Sequence, residues 1–298
     1  MTEILKIENI TKKYGSNTVL KNISFTSESG EIVALIGENG AGKSTLINII
    51  NNLTERSSGK VMIFGNTSIK DKSLRERIGV MPQQDISLEK IKVKETINLA
   101  RSYYKNPVDY KELISLSNLK SKENELVTDL SGGQKRLLSF AVALAGDPDL
   151  IFLDEPTNGM DVMNREKFWN TVLKLKNQGK TFFVTSHYIE ELQNIATKIM
   201  ILQNEKFVFQ GTLDDLRKDQ ESTQIQFDSQ VNLVNFKKIE SIKTIKQNGQ
   251  HFIITTNNLI EFLKDFQVFY DEISNLSIEQ NTLETIFKNL SKGGQDND

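Results

Sequence analysis

Cysteine is absent from the 298 residues of this chain, and so are long apolar runs. Without a thiol the protein can form no disulfide bond and perform no thiolate chemistry. The longest apolar runs, such as 32–36, 151–153 and 182–184, are far shorter than the roughly 20 residues that a membrane-spanning helix needs. We therefore expect that the chain does not cross a membrane by itself.

An excess of charge of either sign is missing as well. Lysine and arginine number 37, and aspartate and glutamate number 39, so no broad basic field attracts nucleic acid. Near the start, Glu3 stands where a secretory signal carries basic residues, and no long apolar stretch follows it. These observations predict a cytoplasmic protein that is not exported and that has no nucleic-acid partner.

The length and composition predict two domains. A chain of this size with 38% hydrophobic residues can bury one full-sized core and leave enough for a smaller one. Near Leu216 the pattern changes, with 224–227 and 251–256 strand-like and 259–269 and 283–290 helix-like. We therefore predict a first domain at 1–215 and a small α+β accessory or regulatory domain at 216–298.

The first domain is predicted to have an α/β fold. Turn residues interrupt β-rich segments between Ile4 and Ser29, which indicates an N-terminal antiparallel β subdomain. Strands buried on both faces of a parallel sheet are apolar throughout, as 32–36 is, and 150–153 and 181–185 are predicted to be two further buried strands. Helical patterns occur at 164–176 and in an insertion at about 92–130. Apolar residues at helical spacing also follow the first buried strand, at Leu46, Ile49, Ile50 and Leu53.

A glycine-rich loop joins the first buried strand to this helix. It fits the pattern G-x-x-x-x-G-K-[ST] with the residues Gly37, Glu38, Asn39, Gly40, Ala41, Gly42, Lys43, Ser44 and Thr45. Backbone N–H groups and the positive end of the helix dipole bind phosphates in such a loop. The pattern assigns Lys43 to the β and γ phosphates and the hydroxyl of Ser44 to magnesium. Because the loop lies between a strand and a helix, we set aside a chance match. The loop therefore predicts a P-loop NTPase core.

Two carboxylates, Asp154 and Glu155, follow the buried strand that begins at Leu150. A parallel sheet brings its strand ends to the crevice where the phosphate loop lies. We predict that Asp154 holds magnesium through water and that Glu155 polarises the water that attacks the γ-phosphate. In isolation such a pair indicates a solvated turn, but beside a phosphate loop the catalytic interpretation is favoured.

A second possible anion site precedes the helical run from Lys135 to Leu144. It has the sequence Leu130-Ser131-Gly132-Gly133-Gln134. The N–H groups of this segment and the hydroxyl of Ser131 lie at a helix N-terminus, where anions bind. The alternative is an ordinary helix cap beside a glycine pair, which the segment by itself favours.

Together these segments resemble the nucleotide-binding subunit of an ATP-binding-cassette (ABC) transporter, over about residues 3–215. Residues 130–134 of this chain match that family's signature, residues 37–45 match its Walker A loop, and residues 150–155 match its Walker B strand. The resemblance implies that ATP and Mg²⁺ are the ligands, with Ser44, Gln83 and Asp154 at the metal. It also implies that the signature contacts nucleotide through Ser131, Gly132, Gly133 and Gln134.

Four further residues fall where the family places functional ones: Tyr14, Gln83, Asp161 and His187. By the resemblance, Tyr14 stacks on adenine, and aromatic stacking on a base stabilises binding. Gln83 matches the Q-loop, Asp161 the D-loop, and His187 the switch histidine that contacts the γ-phosphate. The sequence departs from the family at Met160, which replaces the usual leucine, and Gln84 makes the Q-loop assignment less than unique.

The resemblance also implies the partners. The signature of one subunit closes over ATP held by a second ATPase subunit, either this chain itself or a paralogue, and a separate permease crosses the membrane. The protein would then be peripheral on the inner face of the cell membrane.

The run Thr282–Leu290 resembles the ending of ATPases of bacterial drug, peptide and lipid-linked exporters, which favours export. An amphipathic helix that only caps the second domain is the alternative. The transported substrate stays open.

Two other functions compete with a transport ATPase. Soluble cassette ATPases of translation usually carry two cassettes in one chain, and those of DNA repair insert a long coiled coil before the signature. This chain has one cassette and a short helical insertion. A P-loop kinase for a small molecule shares the phosphate loop but has no use for residues 130–134. We therefore expect an ATP-hydrolysing motor subunit of a transporter.

Overall fold

The computed structural model of the protein describes residues 2–67, 71–84, 86–218 and 223–280. Contacts divide the chain into two compact units, Met1–Leu213 and Asp214–Asp298. The division falls close to residue 215, the predicted end of the first domain. Within the described ranges no helix is both long enough and apolar enough to cross a membrane.

The first unit is an α/β structure. Its strands are β1 Glu3–Tyr14, β2 Asn17–Glu28, β3 Ile32–Ile36, β4 Ser58–Ile63, β5 Ile78–Met81, β6 Leu150–Asp154, β7 Thr181–Ser186, β8 Lys198–Gln203 and β9 Lys206–Gly211. Its helices are α1 Lys43–Ile50, α2 Lys72–Glu76, α3 Val93–Ser102, α4 Tyr110–Leu116, α5 Gly132–Leu144, α6 Val162–Asn177 and α7 Ile189–Leu192, and α8 Leu213–Lys218 lies at the division.

The central sheet has six strands in the order β5-β6-β7-β3-β8-β9. β5, β6, β7, β3 and β8 are parallel, and β9 pairs with β8 in the antiparallel direction. Every residue of β3, β6 and β7 is buried, as expected for a parallel sheet covered on both faces. The three predicted buried strands are therefore confirmed. Their carboxyl ends meet at one edge of the sheet. The phosphate loop begins directly after β3, the acid pair lies at the end of β6, and His187 follows β7.

A second sheet, in the order β2-β1-β4, is antiparallel and forms the predicted N-terminal β subdomain. β1 and β2 each have 12 residues, longer than the short strands that the turn residues suggest. One apolar cluster joins buried residues of this sheet with buried residues of α1 and the central sheet. The cluster fixes the start of α1, and with it the phosphate loop.

The predicted helical insertion contains α3, α4 and two short 3₁₀ turns, Lys120–Lys122 and Val127–Asp129. Its ends are tied by a single antiparallel β-bridge between Lys92 and Leu126. The insertion therefore adds no strand to the central sheet.

The prediction that Leu53 continues the apolar face of α1 is wrong. α1 ends at Ile50, and Leu53 is 70% exposed. Asn52 adopts a left-handed φ of 56°, the N–H of Leu53 donates to the carbonyl of Asn48, and the N–H of Asn52 donates to the carbonyl of Ile49. This pair of bonds is a Schellman motif, which turns the chain away from the helix axis.

The second unit has the element order β-α-β-β-α-β. Its elements are β10 Thr223–Ser229, α9 Leu233–Phe236, β11 Ile242–Asn248, β12 His251–Thr256, α10 Leu259–Phe266, a 3₁₀ turn Gln267–Glu272 and β13 Ile273–Gln280. The strands pair antiparallel in the order β11-β12-β10-β13, which is a split β-α-β arrangement. Its core is rich in phenylalanine, with Phe227, Phe236, Phe252, Phe262 and Phe266 fully buried.

The predicted strands at 224–227 and 251–256 are confirmed by β10 and β12. The helix predicted at 259–269 ends at Phe266 and continues as the 3₁₀ turn. The predicted helix at 283–290 and the run Thr282–Leu290 lie outside the described residues.

Candidate active site

A cavity of about 270 Å³ lies at the carboxyl edge of the central sheet. Its lining comes from four separate parts of the sequence: Asn39, Gly40, Gly42, Lys43, Ser44, Thr45, Gln83, Glu155, Asn158 and His187. The fold thus brings together the phosphate loop, Gln83, Glu155 and His187, which were predicted from separate parts of the sequence.

The phosphate loop needs glycine at positions where a side chain has no room. Gly42 has a φ of +105° and forms the N-cap of α1, and a Cβ there would lie 3.0 Å from a methyl group of Leu20. A Cβ on Gly37 would lie 2.7 Å from the carbonyl oxygen of Leu202. The loop therefore passes close to Leu202 at Gly37 and to Leu20 at Gly42, both in the same chain. Its own backbone lines the cavity.

Lys43 is the buried cation of the cavity. Its Nζ donates to the carbonyl oxygens of Gly37, at 2.7 Å, and Glu38, at 3.1 Å. It also lies 3.3 Å from Oε1 of Glu155, and both side chains are 6% exposed. An anion that enters the cavity thus meets a lysine whose ammonium is already directed inward by its own loop.

Glu155 lies at the centre of the cavity's polar contacts. Its Oε2 is 2.7 Å from Nδ1 of His187. Its Oε1 is buried and, among the described residues, receives no hydrogen bond, since the contact with Lys43 lacks hydrogen-bond geometry. The backbone at Glu155 has a φ of +48°, a conformation that costs energy for a residue with a side chain. One carboxylate oxygen is therefore held, and the other is left as an acceptor.

Hydrogen bonds to β7 hold the strained backbone conformation of Glu155. The N–H of Glu155 donates to both the carbonyl oxygen of Thr185, at 3.2 Å, and its Oγ1, at 3.0 Å. The hydroxyl of Thr185 in turn donates to Oδ1 of Asp154 at 2.5 Å. A single threonine thus positions both acids of the pair.

Asp154 is 5% exposed and does not line the cavity, unlike Ser44 and Gln83. Over the described part of the chain there is no cluster of three or more His, Cys, Asp or Glu that could hold a metal. The hydroxyl of Ser44, the amide of Gln83 and the carboxylate of Asp154 are oxygen donors of the kind that suits Mg²⁺. This ion is usually bound by one or two carboxylates together with substrate phosphates. The donor set therefore fits magnesium carried with a nucleotide.

Tyr14 lies away from this lining. It ends β1, is 52% exposed, and has Nζ of Lys12 4.4 Å from its ring centroid. Its aromatic face is accordingly at the surface of the first unit.

The signature residues are also outside the cavity lining. Ser131 caps α5: its Oγ accepts from the N–H of Gln134 at 3.3 Å, and Oε1 of Gln134 accepts from the N–H of Ser131 at 3.0 Å. A Cβ on Gly133 would lie 3.0 Å from the carbonyl oxygen of Gly159. Residues 131–134 therefore lie close to Gly159 of the same chain and do not line the cavity of the phosphate loop.

Asp161 is exposed and caps α6. Its carboxylate accepts from the backbone N–H of Asn164 at 2.9 Å and from the side-chain amide of Asn164 at 2.6 Å. These hydrogen bonds, the backbone one first, hold the pKa of Asp161 below its usual value. The carboxylate is thus kept charged at the start of the helix that follows the D-loop.

Two residues with evident roles at the site were not predicted from the sequence, Thr185 and Arg136. Neither stands out in the sequence, because the strand of Thr185 also contains Thr181 and Ser186, and Arg136 directly follows Gln134 and Lys135. Thr185 lies in β7, where all residues are buried, and Arg136 is 2% exposed in α5.

Comparison with known proteins identifies the family. The family model described as ABC transporter matches residues 20–158. The Nod factor export ATP-binding protein I of Rhizobium etli is 33% identical over 218 residues, which cover 71% of this chain and 69% of that protein. The protein of the same name from Cupriavidus metallidurans is 32% identical over 222 residues, 72% of this chain and 73% of its own length.

Solved structures show the same relationship. An ATP-binding subunit of an ABC transporter superimposes with a TM-score of 0.65 at 27% identity, over 72% of this chain and 92% of that chain. A dimeric ATP-binding cassette in a post-hydrolysis state, bound to ADP and phosphate, gives a TM-score of 0.65 at 29% identity, over 70% of this chain and 99% of that one. This chain therefore belongs to the ABC transporter family, as an ATP-binding subunit that hydrolyses ATP.

Proposed function

We propose that this chain is the motor subunit of an exporter and that it hydrolyses Mg-ATP in the cavity at the carboxyl edge of the central sheet. The observation that carries the proposal is the convergence of Lys43, Glu155 and His187. Glu155 contacts the other two, at 3.3 Å and 2.7 Å. A cation for phosphate, a base for water and a histidine at the same point form the set that γ-phosphate hydrolysis requires.

Glu155 is the general base in this proposal. Because His187 holds Oε2 and Oε1 receives no hydrogen bond from the described residues, Oε1 is the atom that can accept a proton from the attacking water. His187 also orients the carboxylate, so that its loss would reduce turnover through Glu155 as well as through any contact with the γ-phosphate.

The phosphate loop binds the triphosphate. Backbone N–H groups between Gly37 and Thr45 and the N-terminus of α1 favour the anion, and Lys43 supplies the positive charge. A γ-phosphate competes with Glu155 for the Lys43 ammonium, because the two lie 3.3 Å apart before any third group enters. Binding of ATP thus draws Lys43 away from Glu155, whose carboxylate can then accept a proton from water.

Mg²⁺ would be held by Ser44 and Gln83 directly and by Asp154 through water. When bound, the ion neutralises charge on the phosphate oxygens and orients them. Thr185 keeps the Asp154 carboxylate in place through the 2.5 Å hydrogen bond.

The active unit in this proposal is a head-to-tail dimer with a second ATPase subunit, either this chain or a paralogue. In support, Ser131, Gly132, Gly133 and Gln134 are absent from the lining of the chain's own cavity. In the dimer this segment, which exposes Ser131 and Gly132, covers ATP in a neighbouring subunit, and Tyr14 at the surface stacks on adenine. Dimeric cassettes occur among the similar solved structures.

Transport is outward in this proposal, since the similar curated proteins are named as export ATP-binding proteins. The permease is a separate chain, and the protein lies on the inner face of the cell membrane through it. Residues 1–215 then form the ATPase domain and 216–298 an accessory or regulatory domain. Drugs, peptides and lipids are the substrate classes proposed, in the branch of bacterial drug and peptide exporters.

Replacement of Glu155 by glutamine tests the proposal. The amide has almost the same shape but cannot accept the proton, so we expect Glu155→Gln to bind Mg-ATP about as well as the wild type and to lose nearly all turnover. ATP is then expected to hold a dimer, which size-exclusion chromatography with and without ATP measures.

Glu190→Gln is the matched control, because Glu190 is an exposed carboxylate three positions after His187. It removes the same charge near the same loop and is expected to leave hydrolysis unchanged. Near-normal hydrolysis by Glu155→Gln would remove Glu155 from its role. Loss of nucleotide binding by that variant would show that the carboxylate serves binding rather than the chemical step.

A further inference from the structure

Arg136 is a buried cation in the helix that begins with the signature residues. It lies in the second turn of α5 and is 2% exposed. A buried guanidinium is stable only when its N–H groups find acceptors, because removal of a charge from water costs several kcal/mol. Its contacts therefore show what the structure requires of it.

Among the described residues, the guanidinium donates to the backbone carbonyl groups of Pro82, Gln83, Asp154, Glu155 and Pro156. Nη1 contacts the first two, at 2.6 and 3.0 Å. Nη2 contacts the next two, at 2.7 and 2.9 Å, and Nε reaches the fifth at 3.4 Å. One side chain thus joins the loop after β5 to the loop after β6.

These two loops carry side chains that line the cavity. Gln83 comes from the first loop, and Glu155 comes from the second. Glu155 has a left-handed backbone conformation, which persists only where the surroundings hold it. Arg136 holds the carbonyl side of this residue, while Thr185 holds its N–H side.

Arginine is the residue type that this geometry requires. Its planar group carries five N–H donors in a fixed fork, so separate nitrogen atoms serve the two loops at once. Lysine has a single nitrogen, which can keep the charge but cannot span both pairs of carbonyls. The pattern of bonds thus depends on shape as well as on charge.

We propose that Arg136 is a positioning residue for ATP hydrolysis, which fixes Gln83 and Glu155 relative to each other and to the first turns of the signature helix. The inference rests on the hydrolytic roles given to Gln83 and Glu155 above. Arg136 does not line the cavity, so it acts through these two residues and not on the nucleotide. Its loss lowers kcat, whereas the phosphate loop continues to bind ATP.

The test compares Arg136→Lys and Arg136→Met with the wild type. A displacement of a catalytic group by about 1 Å can cost roughly 100-fold in rate, so we expect kcat to fall about 10- to 100-fold in Arg136→Met and less in Arg136→Lys. The KM for ATP and the affinity for a fluorescent ATP analogue are expected to stay within about threefold of the wild type.

Phe140→Leu is the matched control for a merely structural effect. Phe140 lies one turn further along α5, is fully buried and packs on Phe168 with ring centroids 4.8 Å apart. The variant loosens the same helix without touching either loop, so it is expected to lower the thermal unfolding temperature while kcat at low temperature stays near the wild-type value.

A wild-type kcat in the folded Arg136 variants, or a loss of kcat no greater than that of Phe140→Leu at equal stability, overturns the proposal. If Arg136→Met does not fold, the kcat of Arg136→Lys alone decides between support and refutation. Glu155→Gln is measured alongside: if it hydrolyses ATP normally, the proposed role of Glu155 fails, whereas if it is inactive and the Arg136 variants are fully active, only the role of Arg136 fails.

Discussion

Replacement of Thr185 by valine removes one buried hydroxyl that contacts Asp154 and Glu155 and keeps the side-chain shape. That hydroxyl donates to Oδ1 of Asp154 at 2.5 Å and accepts from the N–H of Glu155 at 3.0 Å. A hydrogen bond to a charged group contributes about 1.5–3 kcal/mol. The N–H of Glu155 keeps a second acceptor, the carbonyl oxygen of Thr185 at 3.2 Å, so it adds little to the loss. We therefore expect Thr185→Val to lower the free energy of unfolding of the first unit by about 2 kcal/mol.

Urea unfolding followed by tryptophan fluorescence measures this loss. The chain has one tryptophan, Trp169, which lies in α6 of the first unit and is 7% exposed, so its emission reports on that unit. With a urea dependence of roughly 2 kcal/mol per molar, the midpoint is expected to fall by about 1 M. The Mg²⁺ concentration for half-maximal ATP hydrolysis is expected to rise, because the Asp154 carboxylate is less well positioned.

Thr185→Ser is the control, since it keeps the hydroxyl and loses only a methyl group. It is expected to lower stability by about 1 kcal/mol, the usual effect of one buried methyl group, and to leave the Mg²⁺ dependence unchanged. The reasoning is refuted if Thr185→Val unfolds at the wild-type urea concentration with an unchanged slope. It is also refuted if serine and valine shift the Mg²⁺ dependence equally.

Three further predictions concern assembly, domains and pH. A mixture of Lys43→Ala and Gly133→Asp subunits is expected to regain part of the ATPase activity that each lacks alone, because one site of a mixed dimer carries neither change; no recovery, with mixed dimers shown by cross-linking, contradicts shared sites. A chain truncated after Leu216 is expected to bind ATP in a fluorescent-analogue titration, and a folded truncation that does not bind would place the boundary elsewhere. Burial first, and then the hydrogen bond to Glu123, raises the pKa of Tyr110 to about 12, so the stabilising contact is fully present below pH 10 and is lost as the pH rises through 12. In an absorbance titration Glu123→Gln is expected to lower this pKa, and an unchanged titration curve contradicts the assignment.

The motifs of the candidate site are contiguous segments of the sequence, so each of them could be recognised without the structure. The segment Gly37–Thr45 was recognised from its glycine spacing, and in the fold its close contacts with Leu20 and Leu202 and the apolar cluster around α1 hold the loop in place. Short apolar runs predicted β3, β6 and β7, because strands covered on both faces by other elements are short and mostly apolar. Strands β5, β8 and β9 were not predicted, although 199–202 in β8 is as apolar as the runs that were used.

Only the tertiary structure decided which side chains meet. In the sequence Thr185 and Arg136 are ordinary polar residues, and each contacts Asp154 from a distance along the chain, 31 positions for Thr185 and 18 for Arg136. Parallel pairing of β6 with β7 places Thr185 beside Asp154, and the packing of α5 brings Arg136 to carbonyl groups from two separate loops at once. Hydrogen bonds between distant segments depend on strand order and helix placement, which follow from how the whole core is buried and not from any local pattern.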